Sequence, residues 1–335
     1  MENAIDTKKQ RLSNLELLRL ISIYGIILMH ECGPFFSSAT GVDRILILII
    51  NSFFNMGVSI FMLISGFFRI NFTKKKFISL IITVYFYSVL SGIFKIYITN
   101  QINRRTLFEM IFPIFVNKYW YITVYIILFL LSKWINKAID YLEKNDFRIV
   151  ILVLFVFFVL SPTLLQYQIL NDCGKGLINM FLMYLVGAYI QKYNFSLSKK
   201  KSLVFMFLCT FFSFSLNLLL TVYKGNGVKI NFSYDNSFFI FFGSIFCFIL
   251  FLHIPFYSKL INISAKAVFS VYLFEGTLRD VFNFYCKNIM IVQKHLYIYI
   301  GVLPIIVIFT MILVESFRLK IFFRLVENIS NRGLK

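Results

Sequence analysis

The sequence predicts an all-α polytopic membrane protein of about ten transmembrane helices, with both chain ends on the cytoplasmic side. Three observations carry this expectation. Of 335 residues, 59% are hydrophobic and only 15% are charged, and the mean hydropathy is +0.79; an ordinary soluble domain has about 25% charge. Charge-free apolar runs recur along the chain, many of them near the ~20 residues that cross a bilayer as a helix. The 34 Lys and Arg residues, which make the net charge +19, fall in short clusters between those runs, as the cytoplasmic loops of membrane proteins do. That clustering argues against the nucleic-acid partner a basic chain first suggests and makes membrane lipid the expected surroundings. Five cysteines (Cys32, Cys173, Cys209, Cys247, Cys286) show no CxxC spacing, and the three histidines are scattered. Neither a metal site nor a disulfide framework is expected.

The first span is 13–30. Ser13 and Glu16 stand at capping-box spacing, so the helix is expected to start at Ser13. Lys8, Lys9 and Arg11 before it and the small residues Ser37, Ser38 and Ala39 after it imitate a signal peptide, but Glu16 and Arg19 inside the apolar stretch argue against cleavage. The further spans are 45–68, 77–94, 119–132, 149–171, 176–191, 202–223, 236–258, 264–286 and 295–314. The ninth is weakest, because Lys266, Glu275, Arg279 and Asp280 interrupt it; leaving it out would put 317–335 outside. Residues 106–116 are expected to form a short helix on the outer interface. With the N-terminus inside, the inner segments hold 22 of the 34 basic residues and the outer segments 11, with Arg19 inside the first span; that bias sets the orientation. The chain reads as one domain, a bundle over 13–315 between a cytoplasmic tail at 1–12 and a basic cytoplasmic tail at 316–335.

Any chemistry must therefore be done by groups in or beside the helices. Arg19 and His30 are eleven residues apart in one helix. At ~100° and ~1.5 Å per residue they share a face and stand ~16 Å apart along the axis. Intramembrane ionisable residues are functional candidates by default. Arg19 suits a bidentate phosphate clamp, although a snorkelling arginine paired with Glu16 would look the same. His30, with an unperturbed imidazole pKa near 6.5, suits a general base, although an interfacial polar residue would look the same. Gly57, Ser65 and Gly66 in an otherwise bulky helix let helices approach closely. Glu275 and Arg279, four apart, are placed to neutralise each other.

These features together resemble a known family. Arg19 and His30 match the Arg-x10-His pattern of the acyltransferase-3 family of membrane O-acyltransferases. The run NMGVSIFMLISGFF at 55–68 resembles its second helix, G-V-x-x-F-x-x-S-G. Tyr119-Trp120-Tyr121 resembles the aromatic start of its fourth helix, 181–190 with Gly187 its sixth, and FSVYLFEG at 269–276 its late G-x-Y-L-I-H helix. The resemblance runs from about residue 11 to 315. Two departures stand out: Glu275 replaces a histidine common in relatives, and Lys74, Lys75 and Lys76 replace an arginine pair, which keeps charge but loses the fork.

The resemblance implies a stand-alone family member in a bacterial plasma membrane. Such members resemble enzymes that take an acyl group, usually acetyl, from cytoplasmic acyl-CoA and place it on a carbohydrate hydroxyl of capsule or exopolysaccharide. Acyl-CoA would be a donor substrate, with no bound cofactor, and the polysaccharide-synthesis machinery a candidate partner. Arg19 and Lys74–Lys76 would hold the CoA phosphates, His30 would act as base, and Ser65, Trp120, Tyr272, Glu275 and Arg279 would line the substrate path. Two other readings stay open. A transporter or flippase for a lipid-linked sugar or small anion needs no Arg19–His30 stripe, and a structural subunit of a polysaccharide synthase would tolerate alanine at both positions.

Overall fold

The computed structural model describes residues 11–225, 230–286 and 296–332, with side chains to residue 320. The described residues are helices and their connections: α1 (Ser13–Cys32), α2 (Gly41–Phe54), α3 (Met56–Phe67), α4 (Lys74–Thr99), α5 (Arg104–Ile111), α6 (Trp120–Tyr141), α7 (Lys144–Phe155), α8 (Ser161–Leu165), α9 (Leu177–Lys192), α10 (Lys199–Lys224), α11 (Phe238–Leu252), α12 (Lys259–Ser264), α13 (Val268–Cys286), α14 (Leu296–Gly301) and α15 (Leu303–Arg332). Seven helical stretches are long and apolar enough to cross a membrane: Gly41–Phe67, Lys74–Thr99, Trp120–Tyr141, Lys144–Leu165, Lys199–Lys224, Asn231–Leu252 and Leu296–Lys320. The chain is a multi-pass membrane protein.

Several local expectations change. Ser13 does not cap α1. Leu12 takes the cap position without a side-chain bond, while the Ser13 hydroxyl donates to Asn262 and accepts from the Ser258 amide. A tertiary contact thus takes the hydroxyl away from its own helix end. The span expected over 45–68 is one stretch, Gly41–Phe67, with a one-residue interruption of the helix at Asn55, between α2 and α3, where the Asn55 side chain donates to the Ser233 carbonyl. α7 passes through a π turn at Val156–Leu160 before α8. Pro162 has no N–H to bond the preceding turn, which accounts for the wider turn there. Helix ends at Leu165, not 171, and at Leu252, not 258. α4 starts at Lys74 because the Thr73 hydroxyl accepts from the Lys76 amide, and α5 is capped by Asn103 in the same way. α15 continues through 316 to Arg332.

Helix packing here cannot lean on hydrophobic transfer, because lipid is as apolar as the helix surface; close contact and polar pairing do the work instead. α3 and α9 show this best. A Cβ on Gly66 would lie 2.0 Å from the Tyr184 carbonyl oxygen, and one on Gly187 would lie 2.2 Å from the Leu63 carbonyl oxygen. Each glycine admits the other helix's backbone. α10 buries one stripe, Ser202, Met206, Cys209, Ser213, Asn217 and Thr221, whose spacing is that of one helix face. Asn217 and Ser213 both bond the Ser233 hydroxyl.

Register follows from pairs at the helix ends. Ser13 meets Asn262 of α12 and, further along, His30 meets Glu275 of α13, so the chain from α12 through α13 runs parallel to α1. Tyr87 packs on Phe274 and Tyr97 on Phe284, so α4 runs with them. Asn14 donates to the Phe251 carbonyl, and Cys247 lies by Leu18, so α11 runs opposite to α1. The His30 end of the bundle therefore also holds the start of α11.

Candidate active site

The face of α1 that carries Arg19 carries Ile23 and Ile26 on the following turns and His30 on the next. Arg19, Ile23 and Ile26 line a cavity of about 290 Å³. Val58, Phe61 and Ser65 of α3 close one side, Tyr121, Ile122 and Tyr125 of α6 another, and Leu80 of α4 with Ala265, Lys266, Val268, Phe269 and Tyr272 the rest. The cavity thus follows the stripe read from the sequence, with cations at one end and apolar and phenolic walls along its length.

At the Arg19 end, the guanidinium Nη1 donates to both Glu16 oxygens, at 3.1 and 3.3 Å, and Arg11 stands 3.7 Å from the same carboxylate. Lys266 supplies a second cation to the cavity wall. Lys74, Lys75 and Lys76 do not reach the cavity. They are exposed on the first turn of α4, and it is Leu80, further along that helix, that does.

Ser65 lies in the wall and donates to the Phe61 carbonyl at 2.8 Å. Tyr272 accepts from the Tyr121 amide at 3.3 Å, tying α13 to the first turn of α6. Trp120 points elsewhere, into packing against the main core and the Tyr121 ring. Its neighbours Tyr121 and Tyr125 are the lining residues, stacked in a ladder with Phe129. Their spacing, four apart from Tyr121 through Tyr125 to Phe129, was the sequence signal for that ladder.

One turn beyond Ile26 and Tyr272 stands His30. Its Nδ1 lies 2.8 Å from Glu275 Oε1; the imidazole is 42% exposed and the carboxylate 9%. The expected Glu275–Arg279 pair does not form. Arg279 turns instead to Glu31 at 3.5 Å, a fully buried carboxylate beside His30 in sequence. α13 lies parallel to α1, and Glu275 and Arg279 find better-placed partners across the interface than along their own helix. Glu31 was the residue missed; an acid directly after His30 in an apolar helix end was its signal. Glu275 Oε2 and Glu31 Oε2 have no partner among the described residues.

A carboxylate on Nδ1 fixes the imidazole tautomer and leaves Nε2 as the basic atom, the arrangement that makes a histidine an oriented base. Nearby on the connection before α6, Lys118 donates to the Ser88 carbonyl and hydroxyl at 3.3 and 3.2 Å. Burial pushes its ammonium down to about 8, against partial support from Glu109. His253 is remote, at the Ser13 end, where its Nε2 lies 3.1 Å from Ser196 Oγ and 2.7 Å from the Leu197 carbonyl. His295 lies outside the described residues.

Comparison with known proteins identifies the family. The family model of the acyltransferase-3 type, described as an acyltransferase domain, matches residues 12–315. No curated protein and no solved structure matches the chain. The match begins just before α1 and ends within α15, so it takes in both ends of the Arg19–His30 stripe and the helix that carries Glu275: the chain belongs to the acyltransferase-3 family of membrane acyltransferases.

Proposed function

We propose that this protein transfers an acyl group, acetyl by preference, from acyl-CoA at the Arg19 end to a glycan hydroxyl at the His30 end. The observation that carries the reading is the cavity along the Arg19 face of α1, with the His30 imidazole, bonded to Glu275, one turn beyond its Ile26 wall. Arg19 and Lys266 draw the CoA phosphates to one end, with Lys74–Lys76 raising the local positive potential outside it. The phosphopantetheine arm, comparable to the ~16 Å between Arg19 and His30, lies along the apolar and phenolic walls. His30 Nε2 takes the proton of the acceptor hydroxyl, the hydroxyl oxygen attacks the thioester carbonyl, the C–S bond breaks, and the proton passes to the departing thiolate. No acyl-enzyme is invoked.

The topology proposed with it has ten spans: the seven long apolar stretches plus α1, α9 and α13, with both termini in the cytoplasm and one domain throughout. The loop-charge bias supports that orientation. It puts the donor end in the cytoplasm of a bacterial plasma membrane and the acceptor, a surface or lipid-linked glycan of capsule or exopolysaccharide type, outside.

The test uses proteoliposomes with acetyl-CoA inside and an oligosaccharide outside. General-base assistance contributes ~10²–10⁴-fold, so His30→Ala loses transfer to that extent while insertion and CoA binding stay normal. A His30→Ala protein that keeps most of its transfer activity refutes the mechanism. A wild-type protein that moves lipid-linked sugar across the bilayer without acyl transfer makes it a flippase instead.

A further inference from the structure

A second cavity, of about 410 Å³, opens at the His30 end of the bundle, away from the acyl path. It lies where helix α8 ends and the segment before α11 begins. Its walls carry Gln166, Gln168, Asn171, Asn231, Tyr234 and Asn236, and among the described residues no charged one lines it. Its size falls in the ~300–1,000 Å³ range of small-molecule sites.

Its chemistry is built rather than incidental. Asn231 donates to Gln166 Oε1 and Gln166 donates to the Thr163 carbonyl, both at 2.6 Å. Gln168 Oε1 accepts from the Cys173 amide at 2.6 Å. These bonds fix amide planes yet use only part of their capacity, since each primary amide offers two donors and an acceptor. The Gln168 amino group, and both ends of the Asn171 and Asn236 amides, have no protein partner among the described residues. Tyr234 adds an aromatic wall, apolar on its face and polar at its tip. Neutral amides beside a ring suit a ligand with many hydroxyls and apolar C–H faces, and they bring no cation to balance a phosphate or carboxylate.

Its position fits the acceptor side. As many residues separate Asn14 from His30 as separate Asp235 from Phe251, and Asn14 bonds the Phe251 carbonyl in the opposed helix pair α1 and α11. Asp235 therefore stands at the depth of His30, and its neighbours Tyr234 and Asn236 line the cavity.

We infer that this cavity binds a neutral sugar unit of the acceptor, a subsite apart from the hydroxyl that receives the acyl group. The word acceptor rests on the acyl-transfer reading; the sugar site itself does not. The test takes the full chain in nanodiscs and the neutral oligosaccharide fraction released from the surface polysaccharide of the parent cell, with a uronic-acid oligosaccharide as comparison. Asn171 has φ of +50°, which glycine adopts freely, so Asn171→Gly removes an amide without straining the turn; Gln168→Ala removes the second. The double variant is expected to weaken oligosaccharide binding about tenfold, and to raise the acceptor KM likewise, with kcat and acetyl-CoA binding unchanged. Unchanged oligosaccharide binding in the double variant, absence of binding by the wild type, or equal binding of the uronic-acid probe overturns the subsite. Acyl transfer with an unaltered acceptor KM would sink the subsite and leave the enzyme reading standing. Sugar binding lost in the variant, from a protein that transfers no acyl group, would do the reverse.

Discussion

Glu275 is the residue on which the mechanism can be weighed most directly. Its carboxylate bonds His30 Nδ1 at 2.8 Å, and Oε2 is buried without a partner. A hydrogen bond to a charged group contributes ~1.5–3 kcal/mol, which corresponds to about 10- to 150-fold in rate if it acts only in the transition state. Because the imidazole is 42% exposed, solvent screening puts the expected loss for Glu275→Ala near the lower end, about 10- to 30-fold. Glu275→Gln keeps an acceptor for Nδ1–H and loses only the charge, so its loss is smaller than that of alanine. Glu275→His restores the residue common in relatives, which also accepts from Nδ1–H, and it is expected to exceed alanine too. The assay is kcat for acetyl transfer in proteoliposomes at saturating acetyl-CoA and acceptor, with acetyl-CoA affinity measured beside it. Since Glu275 lies beyond the donor cavity, affinity should not move. Equal activity of all three variants with the wild type would refute the role given to the His30–Glu275 pair. A loss that appears only in acetyl-CoA affinity would refute it as well.

Four other outcomes are expected. Arg19→Lys replaces a fork with a point charge and should raise the acetyl-CoA KM by about 10- to 100-fold; an unaltered KM would leave Arg19 as no more than the partner of Glu16. Arg279→Gln strands the buried Glu31 carboxylate and should cost about 1–3 kcal/mol in thermal or denaturant unfolding, and adding Glu31→Gln should recover much of it, whereas adding Glu275→Gln should not. Gly187→Ala drives a Cβ to within 2.2 Å of the Leu63 carbonyl oxygen and should cost about 1–3 kcal/mol by overpacking, read as a lowered Tm. Lys118 has its ammonium lowered from 10.5 to about 8 by burial, so between those two pH values the unfolded chain holds a proton that the folded chain has released. Stability should therefore rise with pH across that window, and Lys118→Met should abolish the rise in a pH series of unfolding curves.

What the sequence made legible was whatever depends on one helix at a time. The Arg19–His30 stripe follows from helical period alone, and it survives because α1 is regular throughout. The glycines of α3 were readable as sites of close approach for the same reason, whereas Gly187 of α9 was marked only by the family resemblance. Partner choice was not readable. Glu275 and Arg279 satisfy the rule for pairing along a helix, yet each bonds α1, because neither residue's spacing says which neighbour will stand opposite. Ser13 likewise has every mark of a cap and spends its hydroxyl on Asn262. Trp120 and Tyr121 are adjacent and equally aromatic, and only the rotation of α6 in the bundle decides that Tyr121 faces the cavity.

Helix burial and helix apolarity also part company here. α1, α9 and α13 are absent from the seven stretches that are long and apolar enough to cross a membrane unaided. Two of them are among the most enclosed helices of the bundle: α1 buries thirteen of its twenty residues and α9 ten of sixteen. α10, which easily qualifies, buries only six of twenty-six. A helix facing lipid must be apolar around most of its circumference, while a helix surrounded by other helices is free to carry charge provided that the charge is paired. Glu16, Arg19, Glu31, Glu275 and Arg279 are such charges, and each has its partner inside the bundle, His30 being that of Glu275. The helices least convincing as membrane spans are thus the ones that hold the Arg19–Glu16, His30–Glu275 and Arg279–Glu31 pairs, to which the proposed mechanism assigns the base and the anion clamp. The lipid-facing helices around them supply the low-polarity shell that strengthens both.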